Sequence, residues 1–387
     1  MDISYIINEL GEEREEYFNA VSPPIIQTSN FAFKKVEDLY RAFNDELGTY
    51  LYSRGNNPTV EILRKKLAAL DGAEDCLVFN NGAAATSAGV MAFVQAGDHI
   101  VSVKNPYTWA QNLFDNLLGR FGVTTTYIDG TDINNWESAI RPNTTFFYLE
   151  SPNSWDFALQ PLQEVATLAR SRGITTLIDN SYCTPLYQRP IELGIDLCMQ
   201  TATKYIGGHS DTLGGVLSGS KSAMKQIFEC ELMTIGSAIQ PFNAWLLIRG
   251  LRTLPTRLDR ITQTTNMVID WLLSRPEVER VLFPLHPSFP QYNLATQQMS
   301  GGTGLFTIVM NTHQRNDIVK FCESLKHIMM AVSWGGHESL IMPKCAGISE
   351  VEFDVNNPEH RYVRMYVGLE DAQYLIKDLE CGFQAIA

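Results

Sequence analysis

Long apolar runs are missing from this chain. No stretch of its 387 residues reaches the length of a membrane span. The start, Met1-Asp2-Ile3-Ser4, has no basic region followed by an apolar core, so no secretory signal is expected there. Paired cysteines are missing too. The seven cysteines, at 76, 183, 198, 230, 322, 345 and 381, form no CxxC and are odd in number. That pattern predicts neither a metal site nor a disulfide framework, and free thiols fit a reducing, cytoplasmic setting. No GxGxxG follows a strand-like run, which argues against a dinucleotide-binding oxidoreductase. Positive charge is scarce. Lys and Arg number 30 against 43 Asp and Glu, a net charge of −13, which argues against nucleic acid or an anionic membrane as partner. A few local donors can still reverse the field inside a cleft.

The chain is 45% hydrophobic and 19% charged, enough for a large core and more than one domain. Residues 1–58 suit a compact core poorly. The charged stretch Glu12 to Glu16 is followed by Pro23-Pro24, and a flexible arm with a short helix is expected. Residues 59–240 alternate helix and strand. Val60 to Leu70 and Leu162 to Arg170 have helical spacing. Cys76 to Phe79 reads as a short buried strand, and His99 to Val103, Thr124 to Ile128, Thr145 to Leu149 and Thr175 to Ile178 read as further strands. Such alternation implies a mostly parallel sheet covered on both faces, with ligands beyond the carboxyl ends of the strands. Residues 241–387 change rhythm. Helices Phe242 to Leu254 and Arg257 to Leu273 lead to strand Gly302 to Met310, helix Gln314 to Ser324 and strand Tyr362 to Val367, a smaller α+β domain.

The segment Thr201 to Asp211 carries the chemistry. It sets Lys204 between the hydroxyls of Thr201 and Thr203 and the pair Gly207-Gly208, and upstream the run Thr175 to Ile178 ends in Asp179. Taken singly, a lysine is a surface charge and a strand ending in Asp-Asn enters a turn. Together they supply what a lysine holding pyridoxal phosphate needs: hydroxyls for the phosphate, a carboxylate for the pyridinium nitrogen, and little bulk around the aldehyde. Asn81-Gly82-Ala83-Ala84 opens a helix after a strand, where unpaired amides and the helix dipole favour a dianion.

This lysine segment resembles that of the Cys/Met-metabolism family of pyridoxal-phosphate enzymes, and the similarity runs through motifs from about Tyr52 to Glu370. The resemblance implies an aspartate-aminotransferase-like fold (fold type I), with a mostly parallel seven-stranded sheet and a smaller α+β C-terminal domain. It implies pyridoxal 5'-phosphate as cofactor, and a homotetramer built from active dimers in which the N-terminal arm reaches a neighbouring subunit. Lys204 would hold the cofactor and move the substrate Cα proton. Asp179 would face the pyridinium nitrogen. Gly82, Ala83, Thr201 and Thr203 would cradle the phosphate. Tyr52 and Arg54 match a Tyr-X-Arg pair that completes the phosphate site of the adjacent subunit, with Tyr52 also near substrate. Tyr107 corresponds to a ring-stacking tyrosine that is also discussed as an acid/base group, and Asn153 lies near the ring. Arg364, in Arg-X-X-X-Gly-Leu-Glu, would hold the α-carboxylate, with Ser333 and Trp334 beside it.

Within that family, Ser333-Trp334-Gly335-Gly336 followed by Glu338-Ser339-Leu340-Ile341 is more similar to the cystathionine β-lyases than to the γ-enzymes. His337 and Trp109 depart from either pattern. The expectation is a carbon–sulfur lyase that eliminates at Cβ of cystathionine to give homocysteine, pyruvate and ammonia. The alternative is γ-elimination or γ-replacement, as in cystathionine or methionine γ-lyase, cystathionine γ-synthase or O-acylhomoserine sulfhydrylase. A non-catalytic use of the fold would be marked by loss of the lysine, aspartate or arginine, and all three are present.

Overall fold

The structure, a computed structural model, describes residues 1–386. Short runs rich in β-branched and aliphatic residues form β1 (Asp75–Phe79), β2 (His99–Val103), β3 (Thr124–Ile128), β4 (Thr144–Glu150), β5 (Thr175–Asp179), β6 (Leu197–Gln200) and β7 (Gly215–Gly219). They join in one sheet in the order β1-β7-β6-β5-β4-β2-β3. The β2, β3, β4, β5 and β6 strands pair in parallel, while β7 runs antiparallel to both β1 and β6. Helices Pro58–Asp71, Gly82–Met91 and Leu162–Arg172 pack on the sheet and leave β2, β6 and β7 buried throughout. This is the mostly parallel, doubly covered sheet expected, with β6 and β7 added to the strands read from the sequence.

The topology fixes where chemistry can occur. Because β7 alone reverses, the carboxyl ends of β1, β4, β5 and β6 share one edge. Asn81, Glu150, Asp179 and Thr201 therefore emerge together, and Glu150 lies directly across from Asp179 in the β4–β5 register.

The second sheet comprises β8 (Val278–Leu282), β9 (Leu305–Met310), β10 (Met329–Met330), β11 (Leu340–Pro343) and β12 (Tyr362–Tyr366), in the order β10-β11-β12-β9-β8. Helices Arg315–Ser324 and Ala372–Gln384 cover it with a core that includes Phe306, Phe321, Leu375 and Phe383. One expectation is corrected. The two helices predicted on either side of Pro255 are a single helix, Pro241–Leu273. An interior proline costs about 3 kcal/mol. The flanking turns bury Leu251, Leu254, Leu258 and Ile261, each stabilising by roughly 1.5–3 kcal/mol, so continuity wins.

The charged stretch near the N-terminus does not mark a free tether. Helix Ile3–Asn8 buries Ile6 and Ile7 against helix Pro58–Asp71, and Lys66 Nζ donates to the Ile6 and Ile7 carbonyls at 3.0 and 3.2 Å. Glu12 is buried and ion-paired with Lys66 (3.0 Å) and Arg252 (2.9 Å). Farther on, helix Val36–Asn44 leaves Val36, Tyr40 and Phe43 exposed. Among the described residues, no helix is long and apolar enough to cross a membrane.

Candidate active site

Asn81 caps helix Gly82–Met91 by accepting from the Ala84 amide at 2.8 Å, and the Gly82 and Ala83 amides ahead of it are left to meet an anion. Gly82 faces Thr201 so closely that a Cβ would sit 2.2 Å from its Oγ1; only glycine lets β6 and the helix start meet here. Ala83 is exposed at the same point. Thr201 N donates to Ser181 Oγ at 2.7 Å, tying the lysine segment to the loop after β5. Thr203 is engaged with the backbone of Gly214, its Oγ1 accepting from that amide at 3.1 Å. In this structure the hydroxyl shapes the loop that carries the lysine.

Lys204 is largely withdrawn from water. Its Nζ donates to Ser333 Oγ at 2.5 Å and lies 5.2 Å from the centre of the Trp334 ring. Burial lowers its ammonium to about 8, and the nearby Arg364 charge pushes the same way against the opposing pull of Asp179. Asp179, at the end of β5, accepts from the Ser181 amide at 2.9 Å. Burial raises its carboxyl above the ordinary range, opposed by the Ser181 hydrogen bonds and the charge of Lys204.

Tyr107 projects a half-exposed ring at this edge, and its amide donates to Glu150 Oε2 at 2.6 Å. The other Glu150 oxygen accepts from the Ser154 amide at 3.0 Å. This buried carboxyl is pushed up to about 8, first by burial and then by Asp179 beside it. Asn153 Nδ2 donates to the Asn105 carbonyl at 2.8 Å, and its Oδ1 accepts from the Trp155 amide at 3.0 Å, so it braces the Tyr107 loop.

Arg364 sits on β12 between Thr307 of β9 and Met342 of β11. The residue is 8% exposed, and its guanidinium donates to the Ser154 carbonyl at 3.0 Å, with Met342 Sδ at 3.9 Å. Burial lowers it to about 10, partly offset by Glu150. Ser333 takes a left-handed φ of 81° at the head of the loop that ends in Ser339. Gly335 in that loop lies against Lys204, where a Cβ would approach the lysine Cα within 2.8 Å. The loop is pinned by Tyr366 Oη on the Gly336 carbonyl (2.7 Å) and by Glu370, which accepts from both the amide and hydroxyl of Ser339 at 2.8 Å.

Most of the residues singled out from the sequence thus converge on one edge. Tyr52 and Arg54 do not join them within the chain. They lie on an exposed segment with the Arg54 guanidinium 5.3 Å from the Tyr52 ring centre, and among the described residues no hydrogen bond links them to the lysine loop. Sequence reasoning missed Ser181, the carboxyl role of Glu150, and Trp155, whose ring lies 4.7 Å from the Arg364 guanidinium. Only Ser181, adjacent to Asp179-Asn180, offered a signal.

The donor set fits pyridoxal phosphate. It combines free helix amides beside Thr201, a buried amine near neutrality, a carboxylate facing it, and an aromatic ring open to the same edge. Comparison with known proteins agrees. The family model described as Cys/Met metabolism PLP-dependent enzyme matches residues 5–384. The chain is 35% identical to the L-methionine gamma-lyase of Treponema denticola, over 94% of this chain and 92% of that protein. It is 33% identical to the cystathionine gamma-lyase of Macaca fascicularis, over 97% of this chain and 92% of that one. The crystal structure of metB from Corynebacterium glutamicum superposes with a TM-score of 0.91 at 30% identity, over 100% of this chain and 99% of that one. The chain is a PLP-dependent enzyme and belongs to the Cys/Met metabolism family.

Proposed function

We propose that this enzyme is a carbon–sulfur lyase that binds a sulfur amino acid through Arg364 and eliminates at Cβ, with cystathionine giving homocysteine, pyruvate and ammonia. Bound pyridoxal phosphate supplies a ring that accepts the electron pair released at the substrate Cα. The observation that carries the reading is that Lys204, held by Ser333, shares one edge with a buried Arg364 whose hydrogen-bond partners among the described residues are all uncharged. The Arg364 charge helps to lower the Lys204 ammonium, and an α-carboxylate held on Arg364 would set Cα on the lysine's side of the site.

Each residue then has a defined task. The first-turn amides at Gly82 and Ala83, with Thr201, hold the phosphate. Asp179 keeps the pyridinium proton in place, and Tyr107 covers the ring. Lys204, held near 8, can release and retake a proton close to neutral pH, as a base acting at Cα requires. Ser333 orients that amine through its 2.5 Å contact. Arg364 binds the α-carboxylate with its fork. Tyr52 and Arg54, exposed and not hydrogen-bonded to the lysine loop of their own chain, suit the site of a second copy. This supports an active dimer and, by pairing of dimers, a homotetramer. Buried free thiols suit a cytoplasmic enzyme.

The β-elimination reading rests on the Ser-Trp-Gly-Gly loop, whose Trp334 ring closes one wall against Lys204 and Tyr205. A second reading, γ-elimination or γ-replacement, is favoured by the names of the relatives above. One experiment separates them. The cofactor-loaded enzyme is given L-cystathionine and the keto acid identified by mass. Pyruvate with homocysteine is expected; 2-oxobutyrate with cysteine would overturn the β reading.

A further inference from the structure

Burying a guanidinium is unfavourable, and proteins usually offset it with a carboxylate. A carboxylate held tightly on Arg364 would compete with the substrate's own. The structure avoids that competition. The polar partners of Arg364 are a carbonyl oxygen, Ser154 at 3.0 Å, and a thioether sulfur, Met342 at 3.9 Å, neither carrying a full charge. Under the guanidinium carbon, at 4.7 Å, lies the centre of the Trp155 ring. We infer that Trp155 is the positioning residue that presents Arg364 to the substrate α-carboxylate, its π face stabilising the buried cation without occupying its hydrogen-bonding edge. The inference rests on the proposed role of Arg364 and extends it to a residue outside the binding contacts.

Trp155 is itself held from two sides. Its amide donates to Asn153 Oδ1 at 3.0 Å, and its carbonyl accepts from Thr307 Oγ1 on β9 at 2.8 Å, directly across from Arg364 in the β12–β9 register. The half-buried ring is therefore set by the same strands that aim the arginine. Lys344 also approaches the ring, at 5.3 Å, but its ammonium is paired with Glu359. Face-on attraction between a desolvated cation and an indole is large enough to move affinity about tenfold or more.

The test uses cofactor-loaded enzyme and two ligands without a leaving group, L-norleucine and L-norleucinamide, which differ in the carboxylate. Affinities are measured by calorimetry. Wild type should prefer the acid. Trp155→Leu should weaken the acid about tenfold and leave the amide unchanged, and Trp155→Phe should stay within about threefold of wild type for both. Lys344→Met should leave the preference for the acid intact. The inference is overturned if Trp155→Leu weakens acid and amide alike, if it weakens neither, or if Lys344→Met reproduces its effect. A wild type that binds acid and amide equally overturns the role of Arg364 itself, a failure distinct from that of Trp155. Unchanged melting of Trp155→Phe keeps the comparison free of folding defects.

Discussion

The two anion-binding ends proposed for the site are built in opposite ways within the chain. At the proposed phosphate end the donors that this chain supplies to its own site are neutral: helix-start amides at Gly82 and Ala83 and the Thr201 hydroxyl, on elements of one contiguous sheet, with Arg54 of a second copy the one charge proposed there. Dipoles of this kind need no counter-ion, and close approach of backbones does the rest. At the carboxylate end the donor is a full charge, Arg364, 8% exposed and lowered to about 10. It is carried by a different sheet and steadied by segments more than two hundred residues away in sequence. Within the chain, the first end buries no charged side chain among its proposed phosphate donors. The second must keep a cation dry and still available, and it spreads the stabilisation over a carbonyl, a thioether and an aromatic face. Lys204 lies between them and is repelled by the arginine.

The largest effect should come from removing the residue that serves both ends. Lys204→Ala should lower turnover by at least about a thousandfold while leaving the circular dichroism unchanged; substantial residual lyase activity would sink the proposed mechanism. Next is the charged end. Arg364→Leu should reduce kcat/KM by about thirty- to a thousandfold, chiefly through KM, because a buried charge pair with the substrate is lost. Steady-state kinetics decide it, and a fall confined to kcat would mean that Arg364 is not the carboxylate anchor. The neutral end should respond differently. Gly82→Ala puts a Cβ 2.2 Å from Thr201 Oγ1, so the helix start or β6 must shift, and overpacking of this size costs about 1–3 kcal/mol. Dialysis of the cofactor-free protein against pyridoxal phosphate should show retention weakened about tenfold, with KM for substrate nearly unchanged in the loaded enzyme. Equal losses at both ends would break the contrast.

Sequence reasoning read the two ends unequally, for physical reasons. Lys204, Asp179 and Arg364 could be singled out because the proposed chemistry calls for those residue types beside small residues and strand ends. Strands β1 to β5 were legible as short runs rich in β-branched, aliphatic and aromatic residues. Strand β7 was not. Gly215 and Gly219 read as turn formers, yet Gly215 is glycine because a Cβ would come within 2.1 Å of the Asn81 carbonyl oxygen. The four-residue β6 is too short to show a period. Pro255 read as a break because a local rule was applied where tertiary burial decides. The environment of Arg364 was invisible altogether. Ser154 and Trp155 look like ordinary turn residues until the second sheet folds onto them, and nothing local in the sequence connects positions 155 and 364.

The smallest effect concerns the lysine before cofactor arrives, and its sign can be worked out. Folding lowers the Lys204 ammonium from the ordinary lysine value of 10.5 to about 8. Between those values the unfolded chain still binds a proton that the folded chain has released. Stability of the cofactor-free protein from this group therefore rises with pH across the window from about 8 to 10.5, and below about 8 the folded state carries the full penalty of a buried ammonium. Lys204→Met removes that penalty without leaving a cavity of note. The cofactor-free variant should melt higher than the cofactor-free wild type at pH 7, and the gap should narrow steadily toward pH 10, whatever other groups titrate in both proteins. A gap that is constant with pH would show that the lysine is no less basic in the folded chain than in water. In that case neither burial nor the Arg364 charge would act on the lysine as argued, and the charged and neutral ends would act independently.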